Sequence, residues 1–463
     1  MAKKKSTVYV CSECGHQERR WLGRCPSCGS WNSFREEAGA GGDGAAAEKR
    51  SERRKSGANS PQNLEAVETV DQLRINTGIE EVNRVLGGGI TAGSSVLIGG
   101  EPGIGKSTLM MQLAARVQAG EPVLYVSGEE SAGQLKMRAD RLGIGGARIR
   151  VVCENDLEAL LTLLRREQPR IAVVDSIQTL ISQEAGAIPG TVNQLKYGCW
   201  ELIDWARLND AAVFLVAHVT KEGSIAGPKV IEHMVDTVLY FEQAGSGLRI
   251  IRAMKNRFGS VDEIGLFTME ERGLIQVSEP ASFFLQQRED ELPPGIAAAP
   301  VYEGSRVLMV ELQALVVPAK SGFSRIYSDK IDANRVSRVA AVLEKHLGLR
   351  FSDRDIYINV AGGIRLGEVG IELPLAVALY SARTGIAVPR ELAVAGEISL
   401  AGEIRPTAHM GKRVRAAKEM GFSRFAGPTG TGGERLEEGL FRRVRDVGEA
   451  VQTVFGRSAS SKG

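Results

Sequence analysis

The run VLIGGEPGIGKSTLMMQLAARVQA, residues 96–119, reads as three devices in succession. Val96-Leu97-Ile98 is a short apolar strand, a glycine-rich turn comes next, and Leu109, Met110, Leu113 and Val117 then recur along one side of a helix. Within it Gly100-Glu101-Pro102-Gly103-Ile104-Gly105-Lys106-Ser107 satisfies G-x4-G-K-[ST] in full, with Thr108 continuing into the helix. The glycines let successive backbone N–H groups turn inward around the β- and γ-phosphates. Lys106 supplies a point charge, Ser107 a Mg2+ ligand, and the helix N-terminus its dipole. Strand, loop and helix together predict binding of a nucleoside triphosphate, ATP or GTP.

Turnover needs more groups, and the strands on either side offer them. RIAVVDS ends an apolar strand on Asp175, the place of an acid that holds Mg2+ through water. PVLYVSGEES ends another at Glu129 and Glu130; Glu129 is the candidate to orient or deprotonate the attacking water. A strand-end acid can also cap the next helix, a task open to Glu130 or Ser131. AAVFLVAHV ends in His218, readable as a γ-phosphate sensor or as a half-buried structural histidine. Elements alternate over 95–99, 106–119, 122–127, 131–141, 148–152, 156–167, 171–175, 191–209 and 212–217. They predict an α/β fold with a mostly parallel sheet wrapped by helices. The turn-rich runs 182–191 and 220–229 then belong to the nucleotide side of that sheet. Lys221 and Lys229 in the second run are candidates for DNA contact, or plain solvated lysines.

A chain of 463 residues is too long for one ordinary core and suggests two or three domains. With 43% hydrophobic and 25% charged residues and a net charge of +2, a polyanion must be met by local patches and not by the overall field. No uncharged apolar run approaches the roughly 18 residues of a membrane helix, and no apolar stretch succeeds MAKKK, so a cytoplasmic protein without membrane association is expected.

Four of the six cysteines form C-x2-C-x10-C-x2-C at Cys11, Cys14, Cys25 and Cys28. Two such turns complete a tetrahedron of thiolates and predict a structural Zn2+; His16 nearby is a bystander. Cys153 and Cys199 read as buried small hydrophobes. Around the array, basic residues alternate with Trp21, Trp31 and Phe34. Such a surface can bind single-stranded nucleic acid, although Trp31 and Phe34 read more naturally as the core of a small zinc module. Residues 36–62, rich in Gly, Ala, Ser and charge, read as a flexible linker.

Further on, AMKNRFG (253–259) sets Lys255 and Arg257 two apart where a strand ends. In extended backbone they share a face and imply an anion in front of them. After Pro293-Pro294-Gly295 the character changes again. RVLMVELQALVVP and DIYINV read as strands, and DANRVSRVAAVLEKHLG as a helix with Val336, Val339, Leu343 and Leu347 in one stripe.

LRINTGIEEVNRVLGGGITAGSSVLIGGEPGIGKSTL, YVSGEES, VVDSIQTL and KNRFG, preceded by the four-cysteine array, together resemble the bacterial RadA/Sms recombination family. The resemblance implies a RecA-like P-loop ATPase in hexameric rings. Such a motor is DNA-dependent, drives branch migration on single-stranded and branched DNA during recombinational repair, and acts beside the RecA strand-exchange protein. It implies a zinc-binding module at 8–35, a linker at 36–66, the ATPase domain at 67–285, a C-terminal α+β domain at 295–455 and a tail at 456–463. It also implies that Lys255 and Arg257 reach the phosphates held by a neighbouring subunit, Arg257 being the finger because its charge is permanent and forked. DNA phosphate is the competing target.

The C-terminal segment resembles the proteolytic domain of Lon protease, which raises an ATP-dependent protease as a rival function. The serine position of that domain falls on Gly370 and the lysine position on Gly411. Lys412 is one residue, about 100° of helix, away from the required direction. Without a nucleophile the domain is expected to be a non-proteolytic scaffold that can also present Arg365, Lys412, Arg413 and Arg415 to DNA. A KaiC-like signalling ATPase is a further alternative, with no reason to carry a zinc module.

Overall fold

The computed structural model describes residues 7–11, 17–18, 21, 23–26, 34–38, 74–117, 120, 122–186, 191–218, 230–244, 247–278, 283–286, 291–319, 324–428 and 439–456. The chain falls into two compact units, Met1–Asp71 and Gln72–Gly463.

In the first unit β1 (Thr7–Cys11) lies between β2 (Gln17–Glu18) and β3 (Phe34–Ala38), all antiparallel. Cys25 and Phe34 are buried together with Tyr9 packed on them, so Phe34 belongs to the small core, while Trp21 is exposed. Strand β3 runs three residues into the stretch that reads as linker, because Glu36, Glu37 and Ala38 pair with Tyr9, Val8 and Thr7. Cys14, Cys28, the side chain of Cys11, His16, Trp31 and residues 39–66 lie outside the described residues.

The second unit is built on two large sheets. The first uses β4 (Ser95–Gly100), β5 (Val123–Ser127), β6 (Ile149–Cys153), β7 (Ile171–Asp175), β8 (Ala212–His218), β9 (Thr237–Ala244), β10 (Leu248–Asn256), β11 (Ile264–Glu270) and β12 (Gly273–Gln276). Their order is β12-β11-β10-β9-β4-β8-β7-β5-β6. The strands joined through helices pair in parallel, as crossover connections require, and the closing meander from β9 to β12 is antiparallel. Alternation along each strand divides the core in two. Val96, Ile98, Tyr125 and Val173 face the P-loop helix Lys106–Arg116, while Leu97, Val126 and Val174 face the helices Leu157–Glu167 and Val192–Leu208.

The second sheet has the order β15-β16-β14-β13-β17-β20-β21. It uses β13 (Ile296–Glu303), β14 (Arg306–Pro318), β15 (Ile326–Ser328), β16 (Arg354–Val360), β17 (Leu392–Val394), β20 (Arg424–Gly427) and β21 (Phe441–Arg443). Between β17 and β20 a separate two-stranded piece pairs β18 (Glu397–Ile398) with β19 (Ile404–Arg405). The helix Ala333–Leu347 buries Val336, Val339 and Leu343, with Leu347 packed at its end, as its stripe predicts.

Pro293-Pro294-Gly295 does mark a sharp turn: Gly295 has φ +96°, and a Cβ there would lie 2.2 Å from the Ala314 carbonyl oxygen. Beyond this turn the chain packs back against the first of the two sheets. Ile250, Ile264 and Leu266 share a core with Val301, Leu308 and Val310. The β13–β14 turn docks through a two-pronged pair of Arg306 with the buried Glu81 and through Arg252 with Glu303 at 3.1 Å. Burial raises the Glu303 carboxyl above the ordinary glutamate range, against the pull of Arg252. Among the described residues, no helix is long and apolar enough to cross a membrane.

Candidate nucleotide-binding site

Parallel order brings the carboxyl ends of β4, β5, β7 and β8 to one edge, and the P-loop leaves β4 there. Gly105 has φ +115°, a left-handed backbone that would strain any side chain, so the position directly before the helix favours glycine. At the crest, Gly103 has φ +77° with open space around its missing Cβ. Lys106 is buried, its Nζ donating to the carbonyls of Gly100 (2.7 Å) and Glu101 (2.9 Å). Burial pulls its pKa down to about 8, although Asp175 and Glu129 hold it up. A buried ammonium satisfied by loop carbonyls, an open glycine crest and a buried acid opposite fit a nucleotide triphosphate with a divalent cation.

Asp175 ends β7 directly beside Ser127 of β5, and its Oδ2 accepts 2.6 Å from the Tyr125 hydroxyl. Glu129 lies two residues beyond β5 with its carboxylate half exposed; Ser176 donates to it at 2.7 Å and His218 Nε2 stands 3.4 Å away. His218 ends β8 next to Gly100 of β4, its backbone held in both directions by the Gln178 side chain. The two acids of YVSGEES are thereby separated. Glu130 is tied to Arg138, and Ser131 makes the helix cap, closing a capping box with Gln134. Of the pair, Glu129 is the one grouped with His218 and Ser176.

Sequence pattern does not single out Tyr125, Ser176, Gln178 or Arg249. Tyr125 shares strand parity with Asp175, which is a legible signal; Arg249 carries no local signal. Gly100 to Ser107 contains no arginine, and the fold brings one to it. Arg249 Nε on β10 donates 3.2 Å to the Ile104 carbonyl, a contact spanning 145 residues of sequence.

Lys255 and Arg257 lie at the opposite end of the sheet. β10 runs against β9, so Asn256 pairs with Thr237, which in turn pairs with Val96 near the start of β4. The five steps of β4 from Ser95 to Gly100 separate that end from the P-loop by roughly 16 Å. A bulge lies between Ala253 and Lys255, but pairing is regular from Lys255 onward and the Arg257 N–H donates to the Asp236 carbonyl, so the i, i+2 relation of Lys255 and Arg257 is kept. Lys255 Nζ donates to the carbonyls of Glu232, His233 and Val235, capping the end of the helix Val230–Met234. Burial and the nearby Arg257 charge lower its pKa. Arg257 reaches Asp236 Oδ1 at 3.1 Å and stays more than half exposed. Asp236 also takes Arg207 on the same oxygen and two donors of Ser95 on the other. Burial alone would raise its pKa, but these partners hold it below the ordinary aspartate value.

In the C-terminal sheet's domain, Gly370 and Gly411 carry no reactive group, and Arg413 fills the space. Its guanidinium is 2% exposed and pairs with both Glu368 oxygens (2.8 and 2.6 Å) and the Pro300 carbonyl (2.6 Å). A Cβ on Gly370 would lie 3.3 Å from it. Arg413 therefore cannot face DNA, against expectation, because position 413 of the helix Met410–Glu419 points into the core with Met410, Val414 and Ala417. Arg365, Lys412 and Arg415 are exposed. Cys199 is buried as expected, whereas Cys153 is exposed; residues 187–190 and 219–229, with Lys221 and Lys229, lie outside the described residues.

Three family models match parts of the chain. Residues 9–36 match the rubredoxin metal binding domain, 58–224 the AAA domain, and 328–430 subunit ChlI of Mg-chelatase. The cysteine array thus lies in a metal-binding module and the P-loop in an ATPase domain. The DNA repair protein RadA of Treponema pallidum is 50% identical over 462 residues, 99% of this chain and 100% of the relative. That of Brucella abortus is 43% identical over 468 residues (100% and 99%), and that of Bacillus subtilis 41% over 462 (98% and 100%). At this identity along the whole of both chains, the protein belongs to the family of the DNA repair protein RadA.

Proposed function

We propose that the chain is an ATP-driven motor on single-stranded and branched DNA, acting in homologous recombination and repair. It migrates branches beside the RecA strand-exchange protein, as a cytoplasmic ring of six identical subunits. The observation that carries the ring is the placement of Arg257. The residue is more than half exposed at the sheet end opposite its own P-loop, which takes it away from its own nucleotide and supports action on that of another subunit.

Bound Mg2+ would neutralise phosphate oxygens, held by Ser107 and, through water, Asp175. Lys106 exchanges its loop carbonyls for β- and γ-phosphate oxygens. Gly100, Glu101, Pro102, Gly103, Ile104, Gly105, Lys106, Ser107 and Thr108 form the cradle. Glu129 orients the attacking water and takes its proton, with Ser176 and His218 fixing the carboxylate. Arg257 of the neighbour stabilises the charge that develops on the γ-phosphate, while Lys255 braces the turn that presents it. At the first unit, Cys11, Cys14, Cys25 and Cys28 would hold Zn2+ as a structural centre; burial of Cys25 with Phe34 suits that role.

The test is the ATPase rate with and without single-stranded DNA, with molecular size measured in the presence of nucleotide. Stimulation by DNA and a nucleotide-dependent ring are expected. A DNA-indifferent rate would favour a signalling ATPase instead. Lys106→Ala should reduce turnover to background while cooperative unfolding persists, which circular dichroism and a phosphate-release assay read separately.

A further inference from the structure

Tyr125 sits in the middle of β5, opposite Val173 of β7, and its parity turns it to the same face as Asp175. Its ring is fully buried in the core beneath the P-loop helix, among Ile171, Val173, Phe214 and Met110. Phenylalanine would fill that space equally well. The hydroxyl is the difference, and a hydroxyl taken out of water destabilises the fold unless it is bonded. This one is committed to a single acceptor, Asp175 Oδ2, at 2.6 Å. Among the described residues no other side chain hydrogen-bonds that carboxylate, so the phenol alone orients it.

We propose that Tyr125 is a positioning residue for the metal-side aspartate. By occupying Oδ2 it holds Asp175 in one rotamer and reserves the second oxygen for the hydration shell of the divalent cation bound with the nucleotide. The inference rests on the P-loop reading and assigns a residue that the P-loop motif does not contain. Partners that orient metal-binding carboxylates are generally worth about tenfold or more in metal affinity.

The test uses the full chain with Tyr125→Phe, which keeps ring and packing. Affinity for a fluorescent ATP analogue is titrated against Mg2+ and repeated in EDTA, and Mn2+ binding is monitored by electron paramagnetic resonance. The half-saturating Mg2+ and Mn2+ concentrations should rise about tenfold, with EDTA affinity unchanged and ATPase activity recovered at high Mg2+. Adding Tyr125→Phe to Asp175→Asn should shift the metal dependence no further, because the phenol acts through that carboxylate. An unshifted metal dependence, an equal loss of affinity in EDTA, or an additive shift in the double variant would each overturn the proposal. Wild-type protein showing no Mg2+-linked nucleotide binding would instead remove the P-loop reading, and this inference with it.

Discussion

Rings of Arg257→Ala protein are expected to hydrolyse ATP about 10^3-fold more slowly or worse while remaining folded. The two halves of that expectation have separate causes. An arginine supplied across an interface acts only on charge that develops during phosphoryl transfer, so its loss falls on turnover. Within its own subunit, Arg257 is more than half exposed and shares Asp236 with Arg207, while Ser95 satisfies the other carboxylate oxygen. Removing one exposed partner of a carboxylate that keeps three other donors should change stability by no more than about 1 kcal/mol. Mixed rings of Arg257→Ala and Lys106→Ala subunits provide the sharper measurement. Some interfaces then join an intact P-loop to an intact arginine, so activity should reappear above either parent. A mixture as inactive as its parents would count against action in trans. Lys255→Ala should behave differently, losing stability as well as activity, because three helix-end carbonyls lose their donor.

Arg413→Ala should destabilise the C-terminal sheet's domain by about 3–5 kcal/mol, the usual result of removing one partner of a buried ion pair. Glu368 would be left with an uncompensated charge, and the Pro300 and Ala408 carbonyls would lose their donor. Denaturant unfolding measured in parallel with nucleotide binding would locate the loss. The same pair explains why protease chemistry cannot be revived simply. Gly370→Ser with Gly411→Lys should show no peptidase activity with or without ATP, because the new serine side chain meets a guanidinium already committed to Glu368. Measurable cleavage by that double variant would contradict this account of the domain.

Much of the nucleotide site is legible in the linear order of residues, for a physical reason. A phosphate cradle is local: strand, glycine turn, lysine and helix dipole occupy consecutive positions, so spacing alone specifies Gly100 to Ser107. The strand-end acids are also legible, since an apolar run that stops at a carboxylate marks both the end of a buried strand and the edge where parallel strands converge. Asp175, Glu129 and His218 all reach that edge, beside β4. Glu129 is favoured over Glu130 already by sequence; what the fold adds is Arg138, eight residues from Glu130 and on the next helix, which ties Glu130 down.

A local pattern cannot contain the partner of a charge. AMKNRFG announces two cations facing an anion. The groups before them within the chain are the end of the helix Val230–Met234 and Asp236, about twenty positions earlier in sequence. Arg413 looks like surface charge because a basic helix usually is solvated; Glu368, forty-five residues upstream, pairs with it in the interior. Arg249 at the P-loop and the docking of Arg306 on Glu81 are of the same kind. The motif and the periodicity of its neighbours therefore suffice for the P-loop, the parallel strands and the strand-end acids, all of which arise from nearest-neighbour geometry along the chain. Which cations are free and which are already paired is decided only when the sheets assemble, because the energy of a charge depends on what lies within a few ångströms of it, at any distance along the sequence.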